Sequence, residues 1–475
     1  MTESCIRSIS PDGLTGIIFA LEGMKKTIVL FNGPMGCRFY HSTTSGFLVM
    51  RPLLYLPVNE KGERAPVDYN YLNDWFFRQD RVPCTYLDGY DYVYGTRDKV
   101  REALLFIREN IDFDLLGIVN SPGAALIGDN LLEIARQTLG GSRVVMLESP
   151  GYSISFEEGY SEAAYALLSQ VAAPFWKGQE TDFAVSRNVA GISQMSSDNN
   201  EGAYKASINL LGISIWNRYF EGDIKELKRL FSLCRIEVNA VLCADSSLEE
   251  LYSMPDADLN VVLDPEMGLL AAKYMEEEFS VPFYVCDTLP IGFSATEKMM
   301  REVCARLEEI SSSGRTEKAA SPIQTEIHPE FPGTACHFRT AQKAAPFVSS
   351  LDTFTEEMEK ARALAFYKIN GIYQMYGKPR GVSFCVVGNT ARKKAYTSFL
   401  TTYLGMEETD AGHAELLFSN ANVISEMMLK NRTFCGIEIE LPGMGYVDLT
   451  LKTHLGIEGT LLLIEQVLNG IMSRL

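Results

Sequence analysis

A cysteine placed where a strand gives way to a helix is the feature of this sequence best suited to chemistry. The apolar run TIVLF (27 to 31) ends directly in Asn32-Gly33-Pro34-Met35-Gly36-Cys37, and in open α/β sheets ligands collect beyond the carboxyl ends of strands. Gly33 and Gly36 permit close backbone approach and positive φ, while Pro34 stiffens the turn. Cys37 then stands at or near the N-terminus of the following helix, where the dipole lowers a thiol pKa. A thiolate there is a metal ligand or a nucleophile. Alone, G-P-x-G-C is equally a strand-to-helix turn with an incidental cysteine, since Gly and Pro are the ordinary turn residues.

The other candidates carry less. The chain has ten cysteines but no C-x-x-C pair, which removes support for a zinc ribbon, a thioredoxin motif or a ferredoxin cluster loop. Cys243 in VNAVLCAD, Cys385 in GVSFCVVGN and Cys435 in RTFCGIEIE sit inside strand-like apolar runs, where a free cysteine acts as a small hydrophobe. Cys336 and His337 supply only two of the four ligands of a closed metal site. Glu276-Glu277-Glu278 reads as a solvated helix face. There is no G-x-x-x-x-G-K-[ST] and no G-x-G-x-x-G between a strand and a helix, so nothing predicts ATP or NAD binding by this chain. Any energy input must come from another protein.

The elements that position Cys37 belong to a larger rhythm. Apolar runs of five to seven residues alternate with amphipathic stretches, the pattern of βαβ units building parallel sheets. In a first block, TIVLF, LLGIV (115 to 119) and RVVML (143 to 147) read as buried strands, with a helix over Arg97–Asn110 between them. In a second, the strand SINLLGISI (207 to 215) precedes Gly222-Asp223, where Asp223 and Glu226 form the pattern of a capping box. The strands VNAVL, LNVVL (259 to 263) and PFYVC (282 to 286) follow. A third block has a helix near 352 to 375, the strand VSFCVV, a helix after Thr390 and a closing helix in TLLLIEQVLNGI. The expected fold is α/β: three Rossmann-like domains with parallel sheets flanked by helices, over 1–175, 200–310 and 351–475, with 311–350 an irregular excursion or linker.

Bulk numbers agree. At 475 residues the chain exceeds one compact core, and domains of roughly 100 to 200 residues suggest about three. A formal charge of −18 argues against nucleic acid or an anionic membrane, which need clustered Lys and Arg. The N-terminus MTESCIRSISPDG lacks the basic and apolar regions of a signal peptide, and no apolar run reaches about 18 residues. A cytoplasmic protein with reduced thiols is expected.

The turn and its surroundings resemble the component 1 subunits of nitrogenase and their relatives, protochlorophyllide reductase and the nickel-sirohydrochlorin reductive cyclase. DGLTGIIFALEGMKKTIVLFNGPMGC is similar to the family segment carrying a G-x-x-G-C turn. Downstream, YLDGYDYVYGTRDKVREAL resembles its "D-x-V-F-G-G" segment, SPGAALIGDNL its "I-G-D-D" turn and ESPGYSISFEEGY its "T-P-x-F…G-Y" loop; INLLGIS, GDIKELKRLF, LNVVLDPEMG and LGIEGTLLLIEQVLN also look similar, in the same order. The resemblance implies a subunit that pairs with a homologous second subunit, or with itself as a homodimer, and holds an iron–sulfur cluster between the two. Electrons would come from an ATP-hydrolysing iron protein, which explains the missing phosphate loop.

The sequence departs from the family at instructive places. Of three cysteines that nitrogenase subunits give to the interfacial cluster, Cys37 matches the second. The first falls on Asp12, a carboxylate able to ligate, and the third on Pro122, which has no ligand atom. Cys5 and Cys84 are substitutes by position. Fewer thiolates point to a 4Fe-4S cluster bridging two subunits, with Gly33, Pro34, Gly36 and Cys37 forming its turn. His41, four residues on, either hydrogen-bonds a cluster sulfide or is a structural histidine. The cysteine that holds the active-site cofactor of nitrogenase falls on Asp264 and its histidine on Leu455, with His454 one residue off, so dinitrogen reduction is not expected. Two functions remain: a nitrogenase-like reductase acting on a small molecule, and a scaffold or carrier for metal-cluster assembly. A structural subunit without a cluster follows if none of Asp12, Cys5 and Cys84 ligates.

Overall fold

In the computed structural model of the protein, the described residues are 11–34, 82–111, 113–140, 143–148, 154–177, 205–312, 349–430, 433–441 and 450–473. Their strands form three parallel sheets, because runs such as TIVLFN and LLGIVN are apolar on both faces and are covered by helices on both sides. The first sheet holds β1 (Thr27–Asn32), β2 (Leu115–Asn120) and β3 (Arg143–Glu148) in that spatial order. Its helices are α1 (Gly13–Glu22), α2 (Gly89–Tyr94), α3 (Arg97–Asn110), α4 (Pro122–Ala125), α5 (Leu131–Leu139) and α6 (Phe156–Ala166). α6 runs on through a π segment, Leu167–Ala172, into Ala173–Trp176. From that segment Gln170 reaches β3, accepting from Met146 N and donating to Met146 O at 3.1 Å each. The side-chain amide thus occupies backbone groups of the edge strand that would otherwise invite another strand.

The helices α1 and α6 cross at close range. A Cβ at Gly16 would lie 2.0 Å from Phe156 O, and one at Gly159 would lie 2.0 Å from Gly13 O. Only glycine at these positions lets the two backbones meet.

The second sheet runs β5 (Ile236–Val241), β4 (Ala206–Leu211), β6 (Leu259–Val262), β7 (Phe283–Val285). Its helices are α7 (Phe220–Leu233), α8 (Leu248–Ser253), α9 (Pro265–Phe279) and α10 (Phe293–Ser312). The third sheet runs β11 (Cys435–Glu438), β10 (Leu416–Ser419), β8 (Ser383–Val386), β9 (Glu407–Glu408), with α11 (Asp352–Tyr376), α12 (Thr390–Thr402), α13 (Ala421–Leu429) and α14 (Gly456–Met472). Sequence and structure agree on this α/β class and on helices over 97–110, after Thr390 and near 352–375. One apolar core extends through all three sheets.

Two local expectations are corrected. SINLLGISI is a strand only through Leu211, because Gly212 takes φ +86 and turns the chain against the backbone of Asp264. Asp223 and Glu226 do not start their helix, which begins at Phe220. Both are buried and serve another helix. Asp223 Oδ1 accepts from Thr453 Oγ1 at 2.7 Å and His454 N at 3.0 Å, and Glu226 Oε1 accepts from Ile457 N at 3.0 Å and Glu458 N at 3.1 Å. Leu455, the residue before α14, has no side-chain cap of its own. A spacing of three residues on α7 puts both carboxylates on one face, and that face holds the orphan N–H groups of α14. Cys243 lies just past β5 in a turn with φ 60, fully buried.

Candidate functional site

The expected cluster turn begins at the carboxyl end of β1. Gly33 N donates to Thr85 Oγ1 at 3.1 Å, and Thr85 Oγ1 donates to Asn32 Oδ1 at 2.8 Å. A Cβ on Gly33 would meet Ser121 Cβ and Oγ at 2.9 Å. Three segments therefore converge: Gly33-Pro34 after β1, Cys84 to Leu87 alongside it, and Ser121-Pro122 after β2. Asp12 shares this end of the layer, because the chain reverses between α1 and β1 and because Asp12 bridges to Ser155 beyond the end of β3.

Each candidate ligand has a local explanation. Asp12 is the N-cap of α1, its Oδ1 accepting from Thr15 N at 2.9 Å and from Thr15 Oγ1 at 2.6 Å. Both contacts use one oxygen, which leaves Oδ2 with its direction fixed and the donor chemistry of a ligand. Cys84 is buried, in a bridge with Phe31 beside the end of β1. Pro122, at the lost third position, is the first residue of α4 behind its N-cap Ser121, a place that suits proline because its missing N–H is not needed there. Cys5, Gly36, Cys37, His41, Cys336 and His337 lie outside the described residues. Among the described residues no group of three or more His, Cys, Asp or Glu side chains is arranged to hold a metal.

A second polar centre lies where the other two sheets face each other, and little in the local sequence announces it. In the second sheet the chain leaves β4 toward β5 on one side and returns to β6 on the other; in the third, β8 stands between β9 and β10 in the same way. Ligand crevices form at such switch points. Asp264 follows β6, Asn389 follows β8 and Asn420 follows β10, each an N-cap: of α9, α12 and α13. Asn389 Nδ2 donates to Asp264 Oδ2 at 2.9 Å, joining the two switch points. Asn420 Nδ2 lies 3.5 Å from Glu440 Oε1.

Burial governs the charges here. It pushes Asp264, 1% exposed, up to about 6, against the backbone N–H of Glu266 and the nearby Arg392, which favour the carboxylate. Glu440 rises to about 7, again through burial, with Arg392 opposing the rise and Glu157 adding to it. Glu157 is itself raised by burial and by Glu266. Arg392 is 4% exposed. In the sequence Asp264 stands out only as the residue in place of a cysteine. A recurring pattern, strand then Asp or Asn then helix in VVLDP, VVGNT and LFSNA, was the signal available.

His454, one residue from the expected cofactor histidine, is buried with both ring nitrogens engaged: Nδ1 with Tyr396 Oη at 2.6 Å and Nε2 with Gln466 Oε1 at 2.7 Å. Leu455 packs in the core. Among the described residues no helix is long and apolar enough to cross a membrane.

The family described as nitrogenase component 1 type oxidoreductase matches residues 13–415. The chain is 30% identical over 255 residues to a subunit of the light-independent protochlorophyllide reductase of Synechococcus sp. (strain WH7803), covering 54% of this chain and 43% of that protein. It is 39% identical over 103 residues to the corresponding protein of Leptolyngbya boryana, covering 22% and 20%. These matches span less than half the length of the curated relatives. The solved structure "Nitrogenase Cp1 at pH 6.5" superposes with a TM-score of 0.59 at 14% identity, covering 97% of this chain and 91% of that one, a likeness of fold.

Proposed function

The chain belongs to the nitrogenase component 1 type oxidoreductase family, and on that premise we propose that it is one subunit of a nitrogenase-like reductase. In this reading an ATP-hydrolysing iron protein delivers electrons to an iron–sulfur cluster shared with a homologous subunit or a second copy of the chain, and a small molecule is reduced. The family match over most of the chain carries the proposal. In this reading the chain is organised as three domains over 1–175, 200–310 and 351–475, with 311–350 between the last two.

When bound, the cluster supplies storage for single electrons. The chain's own residues do the rest. Gly33 lets the β1 turn pass against Ser121, Thr85 pins its first N–H, and Cys37 presents the thiolate. Asp12, held by Thr15 through one oxygen, offers the other. Cys5 and Cys84 are the alternates. Two ligands from each of two subunits suit a 4Fe-4S cluster.

Anaerobic purification with iron and sulfide analysis and EPR, comparing wild type with Cys37→Ser, tests this. The variant is expected to lose most of its iron and its cluster signal; unchanged iron would sink the assignment. Asp12→Ala, Cys5→Ser and Cys84→Ser then rank the remaining ligands. Transfer of iron and sulfide to an acceptor apoprotein, without ATP-dependent reduction, would instead make the chain a cluster-assembly scaffold.

A further inference from the structure

We propose that the crevice between the second and third sheets binds the carboxylate of a small organic acid, with the Arg392 guanidinium as its principal partner. The proposal rests on the reductase reading only in taking this acid to be the molecule reduced.

The first observation is an unmatched charge. The side chain of Arg392 is 96% buried by its 4% exposure, yet its guanidinium makes no hydrogen bond, ion pair or ring contact among the described residues; only its backbone N is engaged, by the Asn389 cap at 2.8 Å. Arginine stays protonated and presents five donors, and with no acceptor bonded to them among the described residues those donors remain open to a ligand. Its charge reaches Asp264, Glu440 and Asp223, opposing the effect of burial on each. It touches none of them. Its charge is therefore felt at the carboxyls that follow β6 and β11 without a hydrogen bond or ion pair to either.

The second observation is the surrounding field. The N-termini of α9 and α12 meet through the Asn389 to Asp264 contact, and that of α13 is held to Glu440 by Asn420. Each helix start carries partial positive charge, and together with a fixed guanidinium they favour an anion. Both features lie at the switch points where ligand crevices form.

The third observation limits the anion. Glu157, Asp264, Glu266 and Glu440 are near enough to act on one another's charge, Glu266 on Asp264 and Glu157, and Glu157 on Glu440. A phosphate dianion would meet like charge from every side. A carboxylate carries one charge, matches the planar fork of arginine with two parallel hydrogen bonds, and can share a proton with a neighbouring carboxyl.

Titration of the full chain with propionate and, separately, with phosphate, followed by calorimetry, tests the assignment. Wild type is expected to bind propionate in preference to phosphate. Arg392→Met should weaken propionate binding by about tenfold or more, and Arg392→Lys by several-fold, since a point charge replaces the fork. Glu440→Gln, which removes a competing charge and puts an amide donor in place of a carboxylate that only accepts, should bind propionate more tightly at pH 8. It also tests the site should Arg392→Met fail to fold. Propionate binding that is absent from wild type, unchanged in the Arg392 variants, or weakened in Glu440→Gln overturns the proposal, as does phosphate bound equally well through Arg392. The two readings fail separately: Arg392-dependent propionate binding by a protein without iron breaks the reductase reading alone, and a cluster-bearing protein without such binding breaks this one alone.

Discussion

Two pairs of buried carboxyls, Asp223 with Glu226 and Asp264 with Glu440, have opposite fates. Glu226 is saturated: two backbone N–H groups of α14 and the Arg229 guanidinium, at 2.8 Å to Oε2 and 3.0 Å to Oε1, occupy it. Asp223 Oδ1 likewise takes Thr453 and two backbone donors around His454. Asp264 takes one donor on each oxygen, Glu266 N at 3.0 Å and Asn389 Nδ2 at 2.9 Å, whereas Glu440 has only the Asn420 amide at 3.5 Å, and the Arg392 guanidinium bonds neither. The same chemical group fastens a helix where donors surround it, as at Glu226 and Asp264, and is left nearly unbonded at Glu440. Satisfaction, more than burial, separates structural from functional carboxyls.

The largest expected effect tests the fastened pair. Glu226→Ala strips acceptors from the start of α14 and leaves its N–H groups buried without partners, at a cost of about 3 kcal/mol. A thermal midpoint lowered by several degrees, with Glu440→Gln at pH 5 within about 1 kcal/mol of wild type, is the expected contrast. Equal losses at both sites would break the comparison.

The open pair should announce itself through pH. Asp264 is raised from 3.8 to about 6 and Glu440 from 4.5 to about 7, so the folded state holds protons that the unfolded chain has released. Their contribution is complete below about pH 4 and is lost as pH rises through 6 and 7, about 3 kcal/mol each at 1.36 kcal/mol per pH unit. Stability measured from pH 4.5 to 8 should therefore fall, and Glu440→Gln should flatten the upper part of that fall. A Glu440→Gln profile parallel to wild type would show that the carboxyl titrates normally.

Legibility in the sequence followed the range of the physics. Buried parallel strands such as TIVLF and LLGIV were visible because both their faces are apolar, a property local to the run. The Asp223–Glu226 pattern was visible too, but its target was misread. The three-residue spacing sets a shared face, whereas what that face meets, residues 453 to 458, lies about 230 positions away and leaves no local trace. Arg392 was invisible for the same reason: in TARKKAYTSF it stands beside two lysines, and only the packing of α12 against Asp264 and Glu440 singles it out. Asp12 shows the reverse case, in which a position suggested by resemblance has a sufficient local cause as the cap of α1.

Arg392→Met sharpens the contrast with smaller energy. If the guanidinium served the fold, its removal would cost as much as that of Glu226. An unmatched buried charge predicts otherwise: at pH 5, where Glu440 and most of Asp264 are protonated, the variant should be as stable as wild type or more stable by about 1 kcal/mol. A loss of about 3 kcal/mol or more at that pH would assign Arg392 to the fold.

The smallest effect separates the cap from the crevice. Asn389 does two things at once: its Oδ1 accepts from Arg392 N at 2.8 Å and starts α12, while its Nδ2 donates to Asp264 Oδ2 at 2.9 Å. Asn389→Ser retains a good N-cap, so the helix should lose less than about 0.5 kcal/mol. It removes the amide donor that favours the Asp264 carboxylate, and Asp264 should then hold its proton to higher pH than its present value of about 6. Stability at pH 5 should stay unchanged, and the fall on raising pH should begin from a proton held more tightly. A pH profile identical to that of wild type would mean that the Asn389 amide does not tune Asp264, and that the two switch points are joined in space without being coupled in charge.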